Sequence, residues 1–343
     1  MKSILGLIPG FMLALVIAAV ARFLEGLLPI HLIGASVIAL FIGMIIHHVH
    51  KPGAYLAPGI KFTSKKVLKF AIILLGASLS IGTILHVGRL SLTVMLFTLL
   101  TCFGGGFFIG KALGLNWKLS NLISAGTGIC GGSAIAAIAP VIDAEDVDVA
   151  YAISATFLFD MAMIVLFPIM GRALNLSDMA YGLWAGTAVN DTSSVVAAGY
   201  AFSEAAGDFA TMVKLTRTLS IIPTVIVFAL INVRLKRKAA LSAGCSGNIK
   251  AQFSIKKIFP WFIIFFVLMA ILNSTGIISV TLSGAMKDIS KFLMVAALAA
   301  IGLNTDFREM KKSGIKPMIH GFLISLLVVI VAIAVEACMG LLS

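Results

Sequence analysis

Apolar runs of roughly twenty residues recur from one end of the chain to the other, the length that carries a helix across about 30 Å of hydrocarbon. The pattern predicts eleven membrane segments, near 4–21, 31–48, 67–85, 90–113, 119–142, 147–170, 178–200, 209–232, 258–279, 288–304 and 315–342. The alternation of a transmembrane barrel strand is not seen. A segment in lipid must satisfy its own backbone hydrogen bonds, so the expected fold class is all-α integral membrane, with about ten or eleven transmembrane helices. The chain reads as a single polytopic membrane domain over 1–343, whose one linker-like stretch, with Gly, Ser and Lys, lies near 233–257. The run from Ile4 to Val20 after Lys2 imitates a signal peptide. It is long for that role, and an uncleaved first span is expected.

Composition sharpens this picture. Of 343 residues, 60% are hydrophobic and 12% charged, about half the charged share of soluble domains. A net charge of +12 would suggest nucleic-acid binding in a soluble protein. Here the basic residues sit in short loops between apolar runs, so topology accounts for them and no nucleic-acid partner is expected. Lys51, Lys61, Lys65 and Lys66 mark the loop near 49–66. Arg234, Lys236, Arg237, Lys238, Lys250, Lys256 and Lys257 mark 233–257, and Arg308, Lys311 and Lys312 mark 305–314. If all three are cytoplasmic, the N-terminus is cytoplasmic, the C-terminus is outside, and the acidic stretch Glu204 to Asp208 falls outside, in a multi-pass protein of the bacterial inner membrane.

The metal and enzyme classes find little support. Cys102, Cys130, Cys245 and Cys338 form no CxxC or Cys/His pattern. His47, His48 and His50 end a span at a basic loop and read as interfacial. Gly104-Gly105-Gly106 reads as close helix packing, Lys69 as an interface anchor at the start of the third segment, and Glu336 as a solvated or packed acid near a span end. No recognised catalytic motif, metal site or cofactor motif is present, so the chain is expected not to be an enzyme.

Two segments break the apolar pattern at membrane depth. Gly126-Thr127-Gly128-Ile129-Cys130-Gly131-Gly132-Ser133-Ala134-Ile135-Ala136-Ala137 aligns without gaps to Gly186-Thr187-Ala188-Val189-Asn190-Asp191-Thr192-Ser193-Ser194-Val195-Val196-Ala197. Gly-Thr opens both, Ser133 matches Ser193, and Ala137 matches Ala197, so the pair is an internal repeat. Glycines and small polar residues weaken a helix, and an unwound backbone in a bilayer must be buried or line a cavity. Paired broken helices point to a transporter site. Each segment is either a discontinuous span or a re-entrant hairpin, the two hairpins then entering from opposite faces; loop 143–148 lies outside in the first case and inside in the second. The competing reading, small-residue helix packing, accounts for Gly128 and Gly132 but poorly for the polar run from Asn190 to Ser194.

Charges inside the membrane need a reason. Asp160, Asp191, Lys214 and Arg217 are the candidates, Lys214 and Arg217 standing on one helix face. In the functional reading Arg217, with Lys214, is countercharge for an anion, and Asp191 or Asp160 carries a coupling proton or sodium. In the structural reading Asp160 or Asp191 pairs with Arg217 to hold spans in register. The expected binding groups are the hydroxyls and backbone N–H groups of Thr127, Gly128, Gly131, Gly132, Ser133, Thr187, Thr192 and Ser193, with Asn190 as a neutral donor.

These motifs, with Lys214-x-x-Arg217 and Gly302-Leu303-Asn304-Thr305-Asp306, resemble the YeiH-type conserved bacterial membrane proteins, a family labelled as sulfate exporters. The resemblance spans essentially the whole chain. It implies a multi-pass inner-membrane protein with ten or eleven spans, akin to elevator-type carriers with inverted repeats. The expected function is secondary-active, ion-coupled transport of a small anion such as sulfate, sulfite or a sulfonate. The alternative is a proton or sodium antiporter using Asn190-Asp191; an intramembrane enzyme and a passive channel are further rivals. Lipid is the expected surrounding, and a homodimer is left open.

Overall fold

The computed structural model describes residues 6–27, 35–242, 261–305 and 314–342. Lys250, Lys256, Lys257, Arg308, Lys311, Lys312, Cys245 and Asp306 lie outside these. Among the described residues every regular element is helical, as a backbone in hydrocarbon requires. In chain order they are α1 (Ile8–Leu27), α2 (Ala35–Val49) and a rod α3 over 57–76 built from Ala57–Phe62, a π turn Thr63–Val67 and Leu68–Gly76. A long rod α4 (Ile81–Ala112) follows. Then come the short α5 (Trp117–Ala125) and α6 (Gly132–Ile138), and the long α7 (Asp146–Ala173). α8 (Asp178–Ala188) and α9 (Thr192–Phe202) are again short, and α10 (Glu204–Leu219) runs on into α11 (Ile221–Ser242). α12 (Trp261–Ser274), α13 (Val280–Leu303) and α14 (Ile315–Cys338) complete the order.

Among the described residues five helices are long and apolar enough to cross a membrane, those within Ile8–Leu27, Ile81–Ala112, Val147–Ala173, Glu204–Leu235 and Ile315–Cys338. Large apolar side chains such as Phe23, Phe108, Leu230 and Ile330 stand exposed on their outer faces, which suits lipid rather than water.

Several expected boundaries are wrong: α1 runs on to Leu27, α11 continues to Ser242 through the start of the expected linker, and α13 begins at Val280 rather than near 288. The third segment does not run 67–85: α3 ends at Gly76, and Ser80 caps α4, its hydroxyl accepting from Thr83 N at 3.1 Å. A serine hydroxyl satisfies a free N–H at a helix start, so the chain turns inside the apolar run. With the rod starting at Ala57, Lys69 lies in its interior rather than at its start. There its ammonium sits 5.5 Å from the centre of the Phe262 ring.

The helices form two groups. α1, α2, α3, α12 and α13 pack on one another around Ala14, Ala18, Ala21, Ala39, Ala296 and Ala300. Glycine lets the backbones touch: a Cβ at Gly43 would lie 2.4 Å from Ala299 O, and one at Gly302 would lie 2.1 Å from Leu40 O. The second group is α4 to α11 with α14. Of the Gly104-Gly105-Gly106 run, Gly106 is the close-packing position, a Cβ there falling 2.0 Å from Ser124 Oγ, whereas Gly104 has open space. Glu336 is packed rather than solvated, fully buried with neither carboxyl oxygen partnered.

Both broken segments are re-entrant hairpins. α8 enters and α9 returns: Tyr181 Oη donates to Ala198 O at 2.9 Å, the Tyr181 and Phe202 rings stack at 3.9 Å, and Ser203 Oγ donates to Asp178 Oδ1 at 2.6 Å. The start of α8 therefore lies beside the end of α9. The first hairpin, α5 with α6, closes likewise: Lys118 Nζ donates to Asp143 O at 2.6 Å and Asn116 Nδ2 to Asp148 Oδ1 at 3.0 Å.

α7 shows that the hairpins enter from opposite ends. Its first turn meets Asn116 at the open end of the first hairpin, Asp160 meets the tip of the second, and Arg172 Nη2 donates to Ala201 O near the open end of the second at 2.9 Å. α14 repeats the order, with His320 at Ser120, Ser325 at Asn190 and Val329 at Trp184.

Candidate functional site at the hairpin tips

The first tip is made by a π turn, Gly126–Cys130, and by Gly131 at φ +63°, a left-handed conformation that glycine adopts without a Cβ clash. The wide turn leaves Thr127 O and Gly128 O without their usual helical donors. Arg217 supplies both, Nη2 to Thr127 O and Nε to Gly128 O, each at 2.6 Å. At the second tip Lys214 Nζ donates to Val189 O at 2.9 Å, and Arg217 Nη1 reaches the same oxygen at 3.4 Å. Two cations thus sit where two half-helices end, where carbonyl oxygens and the negative dipole end both favour positive charge.

The return helix α9 starts with the opposite chemistry. Asp160 Oδ1 accepts from Asn190 N at 2.9 Å and Oδ2 from Asp191 N at 3.0 Å. Asp191 caps the helix: its Oδ2 accepts from Ser193 N at 2.9 Å and also from Ser193 Oγ. Carboxylates at a helix N-terminus make charge-assisted bonds and meet the positive dipole end. Asp160, Lys214 and Arg217 are all buried, and none of the four charges forms an ion pair with another among the described residues. The groups considered for a structural pair hold the unwound backbone instead.

The structure brings together Thr127, Gly128, Gly131, Asn190, Asp191, Ser193, Asp160, Lys214 and Arg217 at the two tips. The tips touch: a Cβ at Gly131 would fall 2.8 Å from Asp191 Oδ1. Thr187 stands apart chemically, its hydroxyl donating back to Leu183 O at 2.7 Å. Gly132, Asp191 and Thr192 are half-buried and Ser133 is exposed, so the tips have an open side. Ser325 escaped the reading of the sequence. Asn190 Nδ2 donates to its hydroxyl at 3.3 Å, and a polar residue inside the apolar α14 was the available signal. Thr127 Oγ1 and Asn190 Oδ1, one on each tip, are buried without a hydrogen-bond partner.

These features define a multi-pass helical membrane protein built around two opposed hairpins. The chain belongs to the family described as conserved hypothetical protein 698, which it matches over residues 9–321. It is 56% identical over 335 residues to a UPF0324 membrane protein of Clostridium tetani, covering 96% of this chain and 97% of that protein. It is 39% identical over 360 residues to a UPF0324 membrane protein of Fusobacterium nucleatum, covering 99% of each. Against a UPF0324 membrane protein of Streptococcus pneumoniae the identity is 37% over 340 residues, with 97% of each covered. Those names say membrane protein and nothing of sulfate. A solved sodium proton antiporter of Methanocaldococcus jannaschii is similar at 16% identity and a TM-score of 0.30, over 99% of this chain and 98% of that one; a score so low carries no conclusion here.

Proposed function

We propose that the chain is a secondary-active carrier of a small anion, working by alternating access with the hairpin tips as its binding site. The observation that carries this reading is the contact of Gly131 with Asp191, which makes two interrupted backbones meet between opposed hairpins. Interrupted helices meeting at membrane depth are a transporter arrangement, and their unwound backbone belongs to a cavity. The open side at Gly132, Ser133 and Thr192 gives a ligand N–H groups and hydroxyls. Movement of the hairpin group against the α1–α3, α12 and α13 group would expose the tips alternately, as in an elevator with inverted repeats. In the proposed orientation the exposed Lys61, Lys65 and Lys66 face the cytoplasm and the first hairpin enters from that side.

A second reading has an observation of its own. Asn190 Oδ1 has no partner and the Asp191 carboxylate is half-buried, which suits the sodium or proton of an antiporter. Calorimetry on the purified chain separates the two. Heat with sulfite or sulfate supports the anion carrier; heat with sodium alone, and none with either oxyanion, overturns it in favour of the antiporter.

A further inference from the structure

We infer that the two hairpin tips together form a site for one sodium ion, with Thr127 Oγ1, Asn190 Oδ1 and the Asp191 carboxylate as its ligands. The inference rests on the reading of the tips as a ligand site, and it names a ligand class that this site takes.

Thr127 and Asn190 are both 0% exposed, yet the threonine hydroxyl and the amide oxygen have no hydrogen-bond partner. Leaving such an atom unpaired in a protein interior costs about 1–3 kcal/mol, and native structures keep few of them without a reason. The contrast with neighbouring threonines is direct. Thr187, Thr211 and Thr218 are buried too, and each gives its hydroxyl to the carbonyl one turn back, at 2.7, 2.7 and 2.9 Å. Thr127, in the π turn, does not, and its hydroxyl has no partner.

The backbones that carry the two unpaired oxygens meet at one side chain. The same Arg217 guanidinium binds Thr127 O, Gly128 O and Val189 O, so the backbones bearing them lie within one side chain's span. Asn190 Nδ2 is tied to Ser325 Oγ, which fixes the amide and leaves its oxygen facing away from that bond. Asp191 commits Oδ2 to Ser193 and turns Oδ1 toward Gly131 of the other tip.

The chemistry of the set points to a hard monovalent cation. An amide, a hydroxyl and a carboxylate are hard oxygen ligands. Arg217 and Lys214 give their protons to carbonyl oxygens, so they do not compete for these atoms. Asp160 and Asp191 against Lys214 and Arg217 make the buried charge even.

Equilibrium binding of radioactive sodium to the purified full-length chain in detergent tests this, with choline keeping ionic strength constant. Saturable binding of one sodium per chain is expected, together with a thermal midpoint that rises with sodium and not with choline or potassium. Thr127→Val and Asp191→Asn should raise the half-saturating sodium concentration about tenfold or more, the loss of one charge-assisted or buried polar contact. Thr127→Ser should stay near the natural chain, and so should Thr211→Val, whose hydroxyl is already satisfied.

Absence of saturable sodium in the folded natural chain overturns the inference. So does sodium binding that is unchanged in folded Thr127→Val and Asp191→Asn, or stabilisation that follows pH and not sodium. If Thr127→Val fails to fold, Asn190→Ser takes its place in the series, beside Thr127→Ser. Sodium binding by a chain that moves no anion in proteoliposomes keeps this site and removes the anion-carrier reading; anion flux by a chain that binds no sodium does the reverse.

Discussion

Gly131 and Asp191 hold the same place in the two aligned motifs, and in the folded chain they touch, a Cβ on Gly131 falling 2.8 Å from Asp191 Oδ1. Matching residues of a repeat meet when the two copies face each other. Their divergence has a physical sense as well. One copy supplies a carboxylate that caps α9, and the other supplies a residue with no side chain to obstruct it.

Gly131→Ala should therefore be costly. The residue sits at φ +63° and ψ −136°, where a residue with a Cβ costs about 1–3 kcal/mol, and the added methyl would press on Asp191. Gly132→Ala is the control, since the nearest atom to its Cβ is Ile153 Cγ1 at 4.0 Å. Thermal unfolding in detergent checks the pair; equal midpoints for the two variants would show that the tip contact does not constrain the fold.

Asp160→Asn should destabilise the chain more. The amide keeps the shape, but its NH2 group would face one of the two backbone N–H groups that Asp160 now accepts from. Removing one charge from a buried compensated set costs about 3–5 kcal/mol. The same unfolding assay reads the loss, and an unaltered midpoint would mean that water or another group replaces the carboxylate.

Arg217→Lys should not rescue Arg217→Ala. The guanidinium reaches three carbonyl oxygens on two hairpins, and an ammonium lacks the rigid fork that spans them. Limited proteolysis at the tips, together with the thermal midpoint, should place the lysine variant close to the alanine variant. A lysine variant that behaves like the natural chain would remove the bridging role.

The opposed entry of the hairpins predicts a labelling pattern. With Cys245 and Cys338 replaced by serine, Lys111→Cys and Glu145→Cys should react with an impermeant maleimide from one side, and Ala205→Cys from the other. All three positions are exposed. Reaction of Glu145→Cys and Ala205→Cys from the same side would restore a spanning first segment.

Lys287 and Lys291 of α13 join Glu204 of α10 at 2.8 and 2.5 Å, and Lys287 also meets Asp208 at 2.9 Å. These contacts tie the two helix groups together. Glu204 is 60% exposed, but the Lys287–Asp208 pair is only 26% and 12% exposed, so a double replacement of the lysines by glutamine should cost more than the about 1 kcal/mol typical of a pair facing water. Its effect should appear as faster exchange between states, measured by hydrogen exchange across α9 and α10. Unchanged exchange would leave the contacts with no part in the movement proposed for the two groups.

Much of the fold was readable because hydropathy has a length scale. Apolar runs long enough for a bilayer force helices, and the Gly-Thr motifs announced where those helices fail. Near Ser80 the same signal misled. The apolar run carries on through the turn, and a capping hydroxyl that makes the boundary is one serine among many. Lys69 was misplaced for that reason, its depth depending on where α3 begins. The charged residues were legible as needing partners, but the partners proved to be backbone groups, which leave no mark in a residue pattern.

The sequence alone determined that this chain is a multi-pass helical membrane protein with two polar interruptions, because the cost of placing peptide groups and charges in hydrocarbon is local. Only the tertiary structure decided that each interruption is a hairpin, that the hairpins enter from opposite ends of α7, and that Arg217 and Asp160 hold the tips. Reversal of direction and the choice among carbonyl and N–H partners depend on residues far apart in the chain, and hydropathy is the same for a helix that crosses and one that turns back.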